Sequence, residues 1–248
     1  MNRDGVNQGE RDPREIRRVS RGPGKSVLIT GATGMVGGWV LEDLLAHPDV
    51  GRVVSITRRS GGVDHGKLRE IVHREFLDFT ALEGDLAGID VCFYCLGVYQ
   101  GRVSKEAFFE ITCDAQKALT DVLSRTSPGA TFVLFGASGA DPSEKSSILF
   151  ARAKGRAERL LGETPFPRQY VFRPGYIHPT GGRRPKGLSY RLFVPIAGPL
   201  MKLLPFIGIT DAALARAMVR VGLAAAEPSR VFPRSEIPAL ARDPEPAR

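Results

Sequence analysis

Near the start of the chain, a short β-branched stretch runs directly into a glycine-rich turn and then into a helical pattern. The segment Ser26–Val40 reads SVLITGATGMVGGWV, with Gly31, Gly34 and Gly37 spaced three residues apart. This strand–turn–helix unit is typical of a dinucleotide site, because the glycines permit a sharp turn and close approach of the backbone to a pyrophosphate. The alternative is a turn that only needs small residues. The predicted nucleotide contacts are Gly31, Thr33, Gly34, Met35, Val36 and Gly37.

The rest of the chain alternates between short apolar stretches and amphipathic ones. Beyond Ser26–Thr30, strands are predicted at Arg52–Thr57, Glu70–Phe76, Val91–Cys95, Thr131–Phe135 and Gln169–Phe172. Helices are predicted over Met35–Ala46, Lys105–Arg125, Ser147–Leu161 and Asp211–Ala226. Because alternating strands and helices form parallel sheets that are covered on both faces, we predict an α/β fold. The expected architecture is a Rossmann-type doubly wound parallel sheet with a small C-terminal substrate segment.

Three stretches lie outside this regular pattern. Residues 1–25 are polar and predicted to be a disordered basic arm, and residues 227–248 are predicted to be a Pro-rich, ragged tail. Between them, residues 26–226 are predicted to form the nucleotide-binding domain. Within the domain, residues 175–209 are rich in Pro, Gly and apolar side chains, and their prolines disfavour a regular helix. This segment is interpreted as an apolar lid over a substrate, as a membrane-surface or protein contact through residues 183–208, or as ordinary core.

Charge and hydropathy exclude some classes of function. The formal net charge is +8, and five of the basic residues lie between residues 178 and 202, which contain no acid. No nucleic-acid motif accompanies this charge, so we expect no nucleic-acid partner. No apolar run reaches the roughly twenty residues of a membrane span. The polar amino terminus also lacks a secretory signal, and these features favour the cytoplasm.

Cys92 and Cys95 form a C-x-x-C pair, a spacing that can indicate a redox or zinc site. They fall in a predicted strand, where side chains three residues apart point to opposite faces. We therefore interpret them as packing residues. The four histidines show no ligand spacing, and no metal is expected.

The end of the second predicted strand indicates which dinucleotide would bind. An NAD site usually carries an acidic residue here that binds the ribose 2′-hydroxyl, but this chain has Arg58 and Arg59. The planar guanidinium fork suits a phosphate, which predicts NADP(H). The alternative is a solvated arginine pair. Asp78, after the third strand, is a candidate for the adenine amino group or for a turn or helix cap.

The chain resembles the atypical branch of the short-chain dehydrogenase/reductase superfamily, and within it the Tat-interacting oxidoreductase-like group. The resemblance covers residues 26–226 and rests on GATGMVG, TRRS, DVCFYCLGVYQGR, SGADPSEKSS, ARAKGRAE and VFRPG. It implies an NADP(H)-binding Rossmann domain in which Lys154 lies at the nicotinamide ribose. It also places Cys95, Leu96 and Gly97 beside the cofactor, and Arg173, Pro174 and Gly175 near its nicotinamide end.

The catalytic motif of this superfamily is Tyr-x-x-x-Lys with a serine upstream. Lys154 is present, but Phe150 occupies the tyrosine position, and Ser138 is offset from the expected serine position. A phenyl ring cannot donate a proton. Either another group supplies it (Ser138, Tyr99, Tyr176 or a water), or the reaction needs no strong acid, or turnover has been lost.

The predicted function is therefore an NADP(H)-dependent oxidoreductase acting on a small, mainly apolar carbonyl or quinone-like acceptor. In this interpretation Lys154 and Ser138 act on the reacting groups. The alternatives are a catalytically impaired NADP(H)-sensing regulatory protein and a non-redox isomerase or dehydratase.

Overall fold

The structure is a computed structural model that describes residues 24–98, 102–181, 208–226 and 228–242. Its strands are β1 (Lys25–Thr30), β2 (Val50–Thr57), β3 (Leu68–Val72), β4 (Val91–Tyr94), β5 (Thr131–Phe135), β6 (Arg168–Arg173), β7 (Tyr176–His178), β8 (Gly208–Thr210) and β9 (Arg230–Pro233). Seven of them form one parallel sheet in the order β3-β2-β1-β4-β5-β6-β9. The strands β7 and β8 pair separately. The predicted doubly wound α/β fold is confirmed.

Helices cover both faces of this sheet. They are α1 (Met35–Ala46), α2 (Glu83–Leu86), α3 (Lys105–Phe109), α4 (Ala115–Thr126), α5 (Leu149–Gly162), α6 (Asp211–Ala224) and α7 (Ile237–Leu240). A π-helical turn at Glu110–Asp114 joins α3 to α4, so the predicted helix over Lys105–Arg125 is locally interrupted. No helix in the described ranges is long and apolar enough to cross a membrane.

Strand alternation divides the core into two layers. Val27 and Ile29 of β1 pack with α1 and α6, whereas Leu28 packs on the opposite face with α4. Cys92 belongs to the α4 side and Cys95 to the α1 side, and both are free thiols. The interpretation of this pair as packing residues on opposite faces is confirmed.

Two further differences from the sequence prediction concern β3 and β9. The third strand covers Leu68–Val72 instead of Glu70–Phe76, because the chain leaves the sheet after His73, whose N–H donates to the Thr57 carbonyl at 2.8 Å, and then turns. The stretch predicted to be a ragged tail contributes β9, which pairs with β6 at the sheet edge. Its Pro233 deterred a strand prediction, but a proline is tolerated in an edge strand, where not every N–H needs a partner.

Candidate functional site

The glycine turn after β1 is closed by contacts that only glycine permits. Gly31 has a φ of +75°, and a Cβ there would lie 2.5 Å from the Cys95 carbonyl oxygen. A Cβ on Gly37 would lie 2.2 Å from the Gly31 carbonyl oxygen. Gly34 donates its N–H to that oxygen at 2.9 Å and begins α1 without a side-chain cap. The tight turn therefore leaves an uncapped helix amino terminus at the edge of the sheet, as an anion site requires.

A cavity of about 400 Å³ opens beside this turn. Three consecutive residues at the end of β2, Arg58, Arg59 and Ser60, form one side of it. The Ser60 hydroxyl and the Gly61 N–H donate to the Glu70 carboxylate at 2.5 and 2.8 Å, which fixes this loop to β3. The remaining lining residues are Gly31, Thr33, Gly34, Ile56, Thr57, Phe76, Cys95, Leu96 and Gly97.

A second cavity of about 500 Å³ continues from the first, with which it shares Gly34, Cys95 and Gly97. Together they form one cleft across the carboxyl ends of the strands. The cleft passes over β1, where the strand order reverses, and this switch point is where open α/β sheets bind ligands. The lining residues special to the second cavity are Met35, Val36, Gly37, Val98, Phe135, Gly136, Ala137, Phe150, Lys154, Pro174, Gly175, Tyr176 and Ile177.

Lys154 is the one charged side chain among the described residues that line the second cavity. Its Nζ donates to the Phe135 carbonyl at 3.2 Å and lies 5.6 Å from the centroid of the Phe135 ring. Burial lowers the pKa of the Lys154 ammonium, and the Glu158 carboxylate opposes that effect. A partly desolvated ammonium in a cleft is suited to hydrogen-bond a hydroxyl or oxyanion of a ligand.

Phe150 lies one helical turn before Lys154 on α5 and lines the same cavity. Its ring packs against Phe108, with ring centroids 6.2 Å apart. The structure thus brings the Phe-x-x-x-Lys pair together as the sequence predicted, but with an apolar ring in the place of the phenol. Of the other candidate proton donors, Tyr176 lines the cavity, with the pKa of its phenol raised by burial. Tyr99 lies outside the described residues.

Three predicted site residues, Ser138, Asp78 and Arg173, do not line either cavity. Ser138 is exposed just beyond Ala137, and its N–H donates to the Pro174 carbonyl at 2.8 Å. Asp78 is exposed, and its carboxylate accepts from the Thr80 N–H at 2.8 Å and hydroxyl at 2.7 Å. These bonds lower the pKa of the Asp78 carboxyl. The structure therefore supports the turn alternative for Asp78, and Phe76 occupies the cavity wall instead.

Arg173 precedes Pro174 and Gly175, which line the cavity, but its own side chain is engaged elsewhere. Its guanidinium donates to both carboxylate oxygens of Glu158, with Nε at 3.0 and 3.1 Å. Glu158 is not among the site residues predicted from the sequence. Its signal was the i, i+4 spacing from Lys154, which puts both residues on one face of α5.

Comparisons with known proteins agree with this architecture. Residues 27–157, more than half of the chain, match the NAD dependent epimerase/dehydratase family. The chain is 31% identical to the mitochondrial protein fmp52-1 of Aspergillus terreus over 82% of this chain and 89% of that protein. It is 30% identical to protein HTATIP2 of Rattus norvegicus over 66% of this chain and 67% of that protein.

Among solved structures, the enzyme WbmG of Bordetella bronchiseptica in complex with NAD superposes with a TM-score of 0.63. That match has 16% identity and covers 87% of this chain and 74% of WbmG, so it supports the fold alone. The predicted resemblance to the short-chain dehydrogenase/reductase superfamily is confirmed by the family match and the two relatives. The chain belongs to the NAD dependent epimerase/dehydratase family.

Proposed function

We propose that the protein is an NADP(H)-dependent oxidoreductase that acts on a small, mainly apolar carbonyl or quinone-like acceptor. The observation that carries the proposal is the continuous cleft, in which a glycine cradle separates a basic cavity from an apolar cavity that contains Lys154. A dinucleotide has this order of parts, with phosphates between the adenosine and the nicotinamide.

The residues present fit such a cofactor. Gly31 and Gly37 permit a tight turn in which a Cβ would collide with the Cys95 or Gly31 carbonyl, and α1 begins at this turn with an uncapped amino terminus that would face the pyrophosphate. Leu96 and Gly97 would border the dinucleotide, and Lys154 would donate hydrogen bonds to the nicotinamide ribose. When bound, the dinucleotide would supply or accept a hydride. The protein's part is to orient it, to exclude water and to hold the acceptor.

The preference for NADP(H) over NAD(H) rests on Arg58 and Arg59. Both are exposed at the cavity, and Ser60 adds a hydroxyl beside them. Glu70 is the nearest acid in the loop's hydrogen-bond network, and it is occupied by Ser60 and Gly61. A 2′-phosphate would therefore meet guanidinium groups, whereas a 2′-hydroxyl would lack the usual carboxylate partner.

The acceptor is proposed from the walls of the second cavity. Apart from Lys154, its described side chains are largely apolar, which suits a small hydrophobic carbonyl compound or a quinone. Ser138 could polarise such an acceptor only if the acceptor extends past Ala137, because Ser138 is exposed outside the lining. Reduction of a quinone or conjugated acceptor needs a protein acid less than reduction of a simple carbonyl does, which agrees with Phe150 at the usual tyrosine position.

Titration of the purified protein with NADPH and NADH tests the cofactor assignment. We expect NADPH to bind at least about tenfold more tightly, a difference of about 1.4 kcal/mol. NADPH oxidation is then followed with benzaldehyde, 2,3-butanedione and menadione as acceptors. Equal affinity for both dinucleotides would overturn the NADP(H) preference, and tight binding without oxidation of NADPH would overturn the oxidoreductase.

A second candidate function is an NADP(H) sensor without turnover, and the observation that favours it is the phenyl ring of Phe150 beside Lys154. The Phe150→Tyr variant distinguishes the two. If the wild type is silent and the variant reduces the acceptors, the sensor is supported. A substantial wild-type rate that the variant barely improves supports the oxidoreductase.

The family description also allows a non-redox isomerase or dehydratase with a tightly held dinucleotide. Such an enzyme would convert a hydroxylated substrate, for which UDP-glucose serves as the probe, without net change in NADPH absorbance, and product analysis of that mixture would detect it.

The cytoplasmic location expected from the sequence stays a prediction, because the fmp52 relatives are named as mitochondrial proteins. Cell fractionation with an antibody against the protein tests it.

A further inference from the structure

The buried carboxylate of Glu158 has no part in the chemistry proposed above. Glu158 is 8% exposed and lies one helical turn after Lys154 on α5. Its partner Arg173 ends β6, and the two form a bidentate ion pair. A buried carboxylate is costly unless it is paired, and this one lies one helical turn from Lys154, the one charged side chain among the described residues of the second cavity.

This ion pair touches the wall of the second cavity at two further points. A Cβ on Gly136 would lie 3.0 Å from Glu158 Oε1, so the carboxylate packs directly against the chain as it leaves β5. Arg173 is followed by Pro174 and Gly175, which line the cavity. Glu158 therefore connects α5, which carries Lys154, with the end of β5, where the Phe135 carbonyl accepts from Lys154, and with the end of β6.

We propose that Glu158, fixed in place by its ion pair with Arg173, is a positioning residue that keeps Lys154 as an ammonium ion in the cofactor cleft. The role of that ammonium in cofactor binding rests on the proposed function. The charge network around Lys154 does not, because it is a property of the protein alone. Glu158 and Arg173 act through Lys154 and make no direct contact with a substrate.

The charges around Lys154 show why a carboxylate is needed there. Burial lowers the pKa of Lys154, and the groups that raise it are Glu158, Cys113 of the π-helical turn and Cys95 after β4. The pKa of each thiol is itself raised to about 12 by burial, so both are neutral at neutral pH. Glu158 is then the carboxylate that opposes the loss of the proton, and we expect the guanidinium of Arg173, with which it is paired, to offset part of this effect.

The test follows the titration of Lys154 in the cofactor-free protein, by competitive acetylation at a series of pH values and mass spectrometry of the peptide. Glu158→Gln should shift the titration to lower pH, because the anion is lost and Arg173 remains. Arg173→Gln should shift it to higher pH, because the anion is no longer neutralised. Glu163→Gln is the control, since Glu163 directly follows α5 but is exposed and paired with Arg159.

Opposite shifts of the Lys154 titration in the two variants support the proposal, because an ion pair that does not act on Lys154 would leave its titration unchanged. Coincident titrations of the wild type and Glu158→Gln would overturn it. If either variant fails to fold, Glu158→Asp and Arg173→Lys, which keep the charges, should titrate like the wild type, and a large shift in both would contradict the charge mechanism.

NADPH affinity is measured on the same proteins. We expect about a tenfold loss for Glu158→Gln at a pH where its Lys154 is neutral and the wild-type Lys154 is charged. No NADPH binding by the wild type would refute the proposed function, while the acetylation data would still decide the charge network.

Discussion

Phe150 and Lys154 project from successive turns of α5 into one cavity, and only one of them can exchange a proton. In the motif that this pair resembles, the lysine both binds the ribose and lowers the pKa of a tyrosine. Here the Phe150 ring packs on Phe108, so the helix keeps its apolar contact with α3 but offers no hydroxyl. Under the proposed function, Lys154 would keep the binding half of the motif, and any proton transfer would fall to another group.

Removal of the Lys154 ammonium should therefore weaken cofactor binding. We expect Lys154→Met to raise the Kd for NADPH by about tenfold or more, because a charge-assisted hydrogen bond contributes about 1.5–3 kcal/mol. In the wild type, affinity should fall as pH rises through the pKa of Lys154, which burial places below that of a free lysine. Calorimetry over a pH series checks both. The control Lys145→Met changes an exposed lysine and should leave both results unchanged.

Loss of Arg58 should reduce affinity for NADPH and spare NADH. Arg58→Ala removes a guanidinium at the first cavity, so we expect a loss of about 1.5–3 kcal/mol for the dinucleotide with the 2′-phosphate only. Fluorescence titrations with both cofactors measure the difference. Arg234→Ala, an exposed arginine after β9, serves as the matched control. Equal losses for NADPH and NADH would contradict a 2′-phosphate contact.

Features encoded by neighbouring residues could be predicted from the sequence. The bounds of α1 and β5 agree with the prediction residue for residue, because a glycine turn and a bounded apolar run are local signals. The glycine cradle shares this property, since its three glycines lie within seven consecutive residues. The cavity lining then follows from the parallel topology, which collects the ends of β1, β2 and β4 at one edge.

Features that depend on long-range contacts could not be predicted. The Glu158–Arg173 pair joins residues from α5 and β6, and nothing in either segment alone indicates the partner. The sequence left Asp78 as either an adenine contact or a turn or cap residue, and only its hydrogen bond from Thr80 in the folded protein favours the turn. The π-helical turn also depends on long-range contacts. Cys113 in the turn and Gln116 in the first turn of α4 donate to carbonyls of α5 across the helix interface.

A methyl group on Gly37 should disrupt the cofactor cradle. The Cβ of Gly37→Ala would lie 2.2 Å from the Gly31 carbonyl oxygen, so α1 must move away from β1. Overpacking of this kind costs about 1–3 kcal/mol, and we expect that loss in the free energy of unfolding together with loss of NADPH binding. Urea unfolding and cofactor titration measure the two effects. Gly84→Ala, where the Cβ would meet nothing within 4 Å, should be neutral in both.

Asp211 connects the chain after β7 to the start of α6 through hydrogen bonds with Thr180. Its buried Oδ1 accepts from the Thr180 N–H at 2.9 Å, the Thr180 hydroxyl at 2.5 Å and the Ala212 N–H at 2.9 Å. Asp211→Ala leaves these donors without that acceptor, at a cost of about 2–3 kcal/mol in unfolding free energy.

Because β7 contributes Tyr176 and Ile177 to the second cavity, Asp211→Ala should also weaken NADPH binding. Asp49→Ala, at an exposed position, should change unfolding by less than about 0.5 kcal/mol. Thermal unfolding with and without NADPH separates the effects. Destabilisation of Asp211→Ala with unchanged cofactor affinity would show that the connection between Thr180 and Asp211 supports the fold but does not position the cavity wall.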